Sequence, residues 1–510
     1  MRKELLLGTM LVLLLVSVLA GAFKIQPVRS AGSAQMLLKT DKDSYLLGEI
    51  VTITLLNAGN ETVDISEMPP WKICQYIFHQ FVPVYPCIFL PVVWSLGPGQ
   101  SRNYTWNQRN GFNGQPVGPG QYVVRDTQEW GLSAYFSIVP AIVVPDDYPT
   151  IQEAINNANE GDTVFVRSGT YYENVVVNKT ISLIGERKET TVIYGDSTVP
   201  VLQIHDVRNI TVREFSVCNG TGKNGVDCEN LNYSTISDLY IVNNQRGIFL
   251  WNGTGDIIEG NEIEDFNFAI HTYDVCSYNV IENNTIRGSF ARSARGIWID
   301  AVNHENVSGN FVSHCTIGIL PEHYAYDCRI ENNTIDSNLN GIWLESVIWA
   351  NTITNNIISN NQHGIALVNI QDGPNKIYHN NFINNGLQLY WWNGIQIYPI
   401  EWDNGCEGNY WSDYNGTDMN NDGVGDTELP WMNVDYYPLM NPYWNPADIN
   451  HDLKIDVKDI YIVAKSYGTT SLGPNPEGYE WNPHCDINED GKINMKDYYP
   501  VCKNYGKTYP

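Results

Sequence analysis

The sequence predicts a mainly β chain built around a β-solenoid, with a β-sandwich before it and a small helical module after it. Three observations predict this. A Gly-Ile doublet recurs at Gly247-Ile248, Gly296-Ile297, Gly318-Ile319, Gly341-Ile342 and Gly364-Ile365, with looser copies at Gly225-Val226, Ala269-Ile270 and Gly386-Leu387. The steps are 22, 22, 27, 22, 23, 23 and 22 residues, and a period in this range means one repeat per coil. An Asn-x-Ile/Val element recurs half a coil away, at Asn261, Asn284, Asn310, Asn333, Asn356 and Asn381. Short alternating strands precede this region, and two oxygen-rich loops with apolar-faced helices follow it.

The chain has 510 residues, enough for three or four domains, and a formal net charge of -27 from 57 acidic and 30 basic residues. That balance argues against nucleic acid and anionic membrane surfaces as partners, because both would repel it. Arg2 and Lys3 precede an apolar run from Leu5 to Phe23. Residues 1–31 therefore read as a secretory signal peptide, with an uncleaved N-terminal anchor as the alternative, since the run is long enough to span a bilayer. The expected location is secreted or cell surface. Ten cysteines include four pairs close in sequence, Cys74/Cys87, Cys218/Cys228, Cys315/Cys328 and Cys485/Cys502. Export permits disulfides, but spacing leaves their connectivity open. There is no Cys-x-x-Cys pair to suggest a zinc or redox site.

Residues 36–140 form the predicted sandwich: short strands separated by turn clusters such as Asn57-Ala-Gly-Asn60 and Gly118-Pro-Gly-Gln121. The stretch Thr40-Asp-Lys-Asp-Ser-Tyr45-Leu-Leu-Gly48-Glu49 resembles the first strands of immunoglobulin-like modules. Residues 141–441 form the solenoid. Ile151, Ala154, Ile155 and Ala158 fall at i, i+3, i+4 and i+7, which predicts a short amphipathic helix covering the open end of the core. The phrases Thr150-Ile-Gln-Glu-Ala-Ile155, Gly161-Asp-Thr-Val164, Gly169-Thr-Tyr171 and Leu183-Ile-Gly185 resemble the entry to right-handed parallel β-helices of the pectin-lyase-like superfamily. Gly408-Asn-Tyr-Trp-Ser-Asp413-Tyr414, Asp418-Met-Asn-Asn-Asp-Gly-Val-Gly-Asp426 and Asp435-Tyr-Tyr-Pro438 resemble the terminal segment of NosD-type β-helix proteins. These resemblances imply the fold.

Residues 446–507 carry two calcium-type loops. The first places Asp448, Asn450, Asp452, Asp456 and Asp459 at positions 1, 3, 5, 9 and 12, with the Lys454 carbonyl at position 7. The second repeats the pattern with Asp486, Asn488, Asp490, Lys492, Asn494 and Asp497. Alternating oxygens are what a hard cation taking 6–8 oxygen ligands demands, so Ca2+ is the expected cofactor. Each loop leads into a short helix with an apolar face, and the pair resembles a dockerin. The resemblance implies calcium-dependent folding and docking to a cohesin-type partner. Val457-Lys458 and Met495-Lys496 stand where such modules usually carry small hydroxyl residues, which leaves the cohesin type open. The competing reading is a calcium-stabilised cap that docks on its own chain. Asp418, Asn420, Asp422 and Asp426 form a third oxygen-rich loop, expected as a calcium-stabilised turn, with an ion-free Asx turn as the alternative.

In each Gly-Ile-x-Leu strand, the first and third residues after the glycine are apolar and fill the core, so the second and fourth face outward. The second row reads Asp227, Phe249, His271, Trp298, Leu320, Trp343, Ala366, Gln388, and the fourth Glu229, Trp251, Tyr273, Asp300, Glu322, Glu345, Val368, Tyr390. Asp300, Glu322 and Glu345 then lie in one line at about 4.8 Å per coil. Crowded carboxyls raise one another's pKa, and paired acid and base on a sugar-binding strip is what glycoside hydrolysis requires. These three are the candidate catalytic residues. Trp251, His271, Tyr273, Trp298, His323, Trp343 and Tyr390 are the candidate polysaccharide contacts. Neighbouring coils approach the retaining separation, whereas Asp300 and Glu345, two coils apart, approach the inverting one, which the β-helix glycosidase resemblance favours. No Lys or Arg occupies the two rows, which weighs against β-elimination. Scattered histidines and few methionines weigh against the copper role of the NosD namesake. Two readings stand: a secreted protein that binds and cleaves polysaccharide, and a non-catalytic surface or adhesion protein whose solenoid is a scaffold.

Overall fold

The structure is a computed structural model describing residues 36–77, 80–85, 90–128, 130–346, 348–370, 373–392, 400–420, 422–443, 455, 457–467, 469, 485, 487 and 492–504. The signal segment, Cys87 and the loop residues Asp448, Asn450, Asp452, Lys454, Asp456, Asp486, Asn488 and Asp490 lie outside the described residues. The chain forms two compact units. One runs up to Ser168 and includes Ser182–Glu186; the other comprises Gly169–Ile181 and the residues from Arg187 onward.

In the first unit, Val51–Asn57 alternates buried and half-buried positions along its length, as a strand with one core face must. It pairs antiparallel with Met36–Thr40 on one side and Ser101–Trp106 on the other. A five-stranded sheet holds Ser44–Leu46, Ser133–Val139, Gly120–Asp126, Trp71–Ile77 and Gln80–Tyr85. Leu38, Ile53, Leu55, Trp71, Trp106, Tyr122 and Phe136 share one core between the two sheets, so the expected sandwich is present. The same unit holds three parallel strands, Ile142–Val144, Thr163–Val166 and Ser182–Gly185. It also holds the helix Ile151–Asn157, which buries Ile151, Ala154 and Ile155. Thr150 caps that helix, its Oγ1 accepting from Glu153 N at 3.1 Å.

The second unit is a stack of coils, most of them contributing three strands; in two coils the second and third run on as one strand, Ser216–Glu229 and Tyr240–Trp251. The coil Asn306–Ser308, Phe311–Ser313, Ile317–Glu322 is followed by Arg329–Glu331, Thr334–Asp336, Asn340–Glu345, and each strand pairs in parallel with its counterpart. Over the chain the solenoid has about 11 turns. Ile258, Ile281, Val307, Ile330 and Ile353 stack inward on one side, and Ile270, Ile297, Ile319, Ile342 and Ile365 on another, all essentially without exposure. The doublet's glycine has a steric cause. A Cβ at Gly296 would lie 2.4 Å from the Gly318 carbonyl oxygen and 2.5 Å from Val312 Cγ1, closer than packed atoms approach. The 27-residue step is absorbed by an added turn at Phe290–Arg292.

Corners are turned by residues with positive φ, including Gly309, Asn332 and Asn355, where glycine and asparagine are the least strained choices. The next residue begins an asparagine ladder. Asn261, Asn284, Asn310, Asn333 and Asn356 each donate from backbone N and Nδ2 to the Oδ1 of the ladder residue one coil on, at 2.9–3.0 Å up to Asn356. The ladder continues through Asn380 and Asn409 rather than the expected Asn381. Asn381 lies inside its strand and pairs with the Tyr443 backbone instead. A second ladder substitutes carboxyls and a thiol: Ser234, Asp256, Asn279, Glu305, Cys328, Asn351 and Asn375 stand on successive coils. Among the described residues no cysteine is disulfide-bonded. Cys228, Cys276, Cys315 and Cys328 are buried side chains of the solenoid wall, and Cys276 Sγ accepts from Gly253 N at 3.2 Å as an asparagine oxygen would.

Of the C-terminal module, Val457–Ser466 and Met495–Asn504 are helices. Ile455, Val463, Cys485, Ile493 and Val501 form their shared core. No described helix is long and apolar enough to cross a membrane.

Candidate functional site

The strands Tyr240–Trp251, Phe268–Tyr273, Arg295–Asp300, Ile317–Glu322, Asn340–Glu345, His363–Val368 and Leu387–Trp391 stack in parallel on one face. Their register places Phe249, His271, Trp298 and Leu320 in one row, and Trp251, Tyr273, Asp300 and Glu322 in another. Glu345 lies opposite Val368. The last coil departs from the expected rows. Ala366 pairs with Tyr390 and His363 with Leu387, so Tyr390 belongs to the second row and Gln388 stands opposite Gly364. The core explains the shift: Leu389 is buried whereas Leu387 is exposed, so Gln388-Leu389, not Gly386-Leu387, occupies the doublet position.

The three acidic residues differ in their surroundings. Asp300 is 6% exposed and Glu322 9%; Glu345 is half-buried. His323 bridges the first two, with Nδ1 3.1 Å from Asp300 Oδ1 and Nε2 3.4 Å from Glu322 Oε1. His271 Nε2 lies 3.7 Å from the other Asp300 oxygen. Glu345 Oε2 accepts from Trp343 Nε1 at 2.9 Å. Burial is the largest influence on Glu322 and raises its pKa; Glu345 and Asp300 add to the rise, while His323 and Arg295 oppose it. Burial lowers the pKa of His271, against its interaction with Asp300.

The aromatic candidates fall into two groups. His271 is buried and stacked on Trp298, ring centroids 4.0 Å apart and 2° from parallel, so those two faces cover each other. Trp251 and Tyr273 are adjacent and exposed, and Trp251 Nε1 donates to Asp274 Oδ2 at 3.1 Å. Trp343 leans against Trp392, an exposed ring that the row pattern did not single out. Tyr390 stacks on His363 at 4.1 Å.

Two cations on this face escaped the row pattern. Arg246 and Arg295 stand one residue before the doublet's glycine or alanine-type position, where strict alternation points inward. The ladder runs from Arg246↔Phe268 to Ile248↔Ile270, so pairing skips the glycine and the pleat breaks there. The Arg295 guanidinium lies 4.7 Å over the Trp298 ring and Arg246 4.7 Å over Phe249, both on outward rows. A residue of this size and charge before Gly247 and Gly296 was the available signal. Basic residues thus stand beside the two rows, although none occupies them.

In the third oxygen-rich loop, Asp418 Oδ2 accepts from Gly423 N at 2.9 Å, Asp422 Oδ1 from Val424 N at 2.9 Å and Asp426 Oδ2 from Met419 N at 2.7 Å. Asn420 Oδ1 accepts from Asp422 N at 3.0 Å. The bonds of Asn420 and Asp422, each to the backbone two residues on, are Asx-type turn bonds, whereas Asp418 and Asp426 reach across the loop. In the C-terminal module, Asp459 and Asp497 are fully buried at the first helical turns, and Asp497 Oδ2 accepts from Asn494 N at 2.8 Å. The Lys492 carbonyl accepts from Asn494 Nδ2 at 3.3 Å.

Among curated proteins the chain is 27% identical over 311 residues to a cell surface glycoprotein of Methanothermus fervidus, covering 52% of this chain and 51% of that protein. It is 30% identical over 189 residues to a probable ABC transporter binding protein NosD of Stutzerimonas stutzeri, covering 35% of this chain and 39% of that one. The chain thus spans about half or less of the length of these relatives. Among solved structures, a hyperthermoactive exopolygalacturonase from Thermotoga maritima matches with a TM-score of 0.35 at 11% identity, over 44% of this chain and 73% of that one. DFA-IIIase from Arthrobacter chlorophenolicus A6 matches with a TM-score of 0.34 at 10% identity, over 45% and 76%. Likenesses this weak lend nothing to function. The model of the family described as periplasmic copper-binding protein (NosD) matches residues 155–324 and 209–416. Those matches together cover just over half of its length, and the chain belongs to the NosD family.

Proposed function

We propose that the Gly-Ile face of the solenoid binds polysaccharide and cleaves it by general acid–base hydrolysis. The observation that carries this reading is the cluster of Asp300, Glu322 and His323 beside an aromatic strip, with the Glu322 carboxyl pushed up by burial. A carboxyl whose pKa is raised holds its proton more readily and can donate it to the glycosidic oxygen as the bond to the leaving sugar breaks. Asp300, opposite Glu322 on the next coil, is then the second carboxylate. A coil spacing of about 4.8 Å puts the pair near the retaining separation of roughly 5–5.5 Å. This supports retention, against the inverting pair Asp300 and Glu345 that the resemblance favoured. Trp251, Tyr273, Trp343, Tyr390 and Trp392 supply ring faces and edges along the strip.

The test is reducing-end release from a panel of plant and microbial polysaccharides, with the anomer of the first product followed by NMR. Asp300→Asn and Glu322→Gln are expected to lower kcat by roughly 10²-fold or more while leaving binding in place. Unchanged turnover in both would rule out this pair. A second reading, glycan binding without turnover on a surface protein, is favoured by the near-complete burial of both carboxyls beneath His323; binding by wild type with no product would select it.

The name of the Methanothermus fervidus relative, a cell surface glycoprotein, and the periplasmic family description support an extracellular or cell-surface location. Copper, named in the family description, gains little support from the residues present: among the described residues no group of His, Cys, Asp or Glu could hold a metal ion, and Asp300, Glu322 and His323 are paired with one another. His271 is moreover held in a stack with Trp298. Calcium fits better at the C-terminal module, where two acidic side chains are buried at helix starts and gain from a cation. Asp459, Asp497, Asn494 and the Lys492 carbonyl would contribute to holding it, and a cohesin-type protein is the proposed partner of the module. The 418–426 loop is a weaker candidate, since none of Asp418, Asn420, Asp422 and Asp426 is buried and each gains less from a cation.

A further inference from the structure

The arginines of this face point to the kind of glycan it takes. We infer that Arg246 and Arg295 form a seat for oxyanion substituents, so that the ligand is an acidic polysaccharide; this rests on the polysaccharide reading above. The chain carries -27 net charge, so a cation has many carboxylates available to it. Yet among the described residues neither arginine forms an ion pair: Arg246 Nη1 reaches only Asn224 Oδ1, at 3.5 Å. Asp227, the carboxylate acting on Arg246, spends its Oδ1 on Asn224 Nδ2. The Nε of Arg246 is buried without a hydrogen-bond partner, and burial lowers its pKa. A half-buried guanidinium left uncompensated is costly unless an anion completes it.

Both guanidiniums are held face-on by rings. Arg246 lies over Phe249 and Phe268 at 4.7 and 5.4 Å, and Arg295 over Trp298 and Phe268 at 4.7 and 5.4 Å. Stacking occupies the planar face and leaves the outer N–H donors, those of Arg246 Nη2 and of the Arg295 guanidinium, for a carboxylate or sulfate. Phe268 sits between the two and fixes them one coil either side of itself. That spacing, about 10 Å at two coils, is comparable with a disaccharide unit, so the pair would read charge on a repeating polymer rather than on one sugar. The arginines border the strip on the side away from Asp300 and Glu322. The ligand's charges are thereby held off the carboxyls that would repel them.

Binding of the full chain to dextran, dextran sulfate and polygalacturonate, measured by calorimetry, tests the inference. The expected result is binding to at least one polyanion roughly tenfold tighter than to dextran. Arg246→Gln and Arg295→Gln should each lose roughly tenfold on that polyanion, with dextran unchanged and Arg295→Lys partly restoring it. Thermal unfolding confirms that the variants are folded. Preference for polygalacturonate assigns the seat to uronate carboxyls, and preference for dextran sulfate to sulfate. Equal affinity for all three, or folded glutamine variants that bind polyanion as wild type does, would overturn the arginine assignment while keeping a glycan-binding face. A folded wild type that binds none of the three would remove the polysaccharide reading itself.

Discussion

Glu305 shows how one residue couples a regular scaffold to pH. It occupies an asparagine position of the second ladder, fully buried, and accepts from Asn279 Nδ2 at 2.9 Å and Thr272 Oγ1 at 2.8 Å. Burial pushes its pKa up to about 7, despite those two bonds. Asp256, on the same ladder, is likewise raised by burial to about 7. A carboxyl raised in the folded state favours folding fully below its unfolded pKa, and that contribution is lost as pH rises through the folded value. Stability should therefore fall between about pH 4.5 and 7.5. The Glu305 share is about 3 kcal/mol, for a shift from 4.5 to about 7. Glu305→Gln keeps the shape and removes the charge. Its thermal midpoint should match wild type at acid pH and exceed it at pH 8; equal slopes for the two proteins would refute the assignment.

At the scale of elements, the asparagine ladder decides whether coils stack in register. Asn333 donates to Val307 O at 2.9 Å and to Asn356 Oδ1 at 3.0 Å, and its own Oδ1 receives the backbone and side-chain N–H of Asn310. Asn333→Ala orphans buried partners above and below, each worth about 1–3 kcal/mol. A loss of at least about 3 kcal/mol in urea unfolding is expected, and one below roughly 0.5 kcal/mol would mean that water replaces the ladder. The ladder was legible in the sequence because identical residues recur at coil spacing. Its continuation at Asn380 was not, because two asparagines adjoin there and only the positive φ of His379 places the corner. The same limit applies to the last coil, where Gly386 mimicked the doublet but the buried Leu389 set the register.

At the scale of the whole molecule, the C-terminal module has a small described core: Ile455, Val463, Cys485, Ile493 and Val501. Such a core leaves a marginal fold that a bound cation would stabilise by mass action. Titration of calcium into the EDTA-stripped full chain should raise the helical signal and protect the C-terminal residues from proteolysis. Asp459→Asn and Asp497→Asn should weaken the effect roughly tenfold or more. A chain whose protection is the same with EDTA and with calcium would leave the loops without their cation.

The sequence by itself determined the fold class, the coil period, the short helix at Ile151–Asn157 and the row containing Asp300 and Glu322. Each of these rests on periodicity, and parallel stacking turns a period directly into contacts. Tertiary structure decided what depends on where the pleat breaks and on which groups end up shielded. It turned Arg246 and Arg295 outward past their glycines. It folded His323 across Asp300 and Glu322, closed His271 against Trp298, and moved Tyr390 between rows. Alternation assigns a residue to one side of a strand; its charge state and its accessible face depend on the coil above and the coil below.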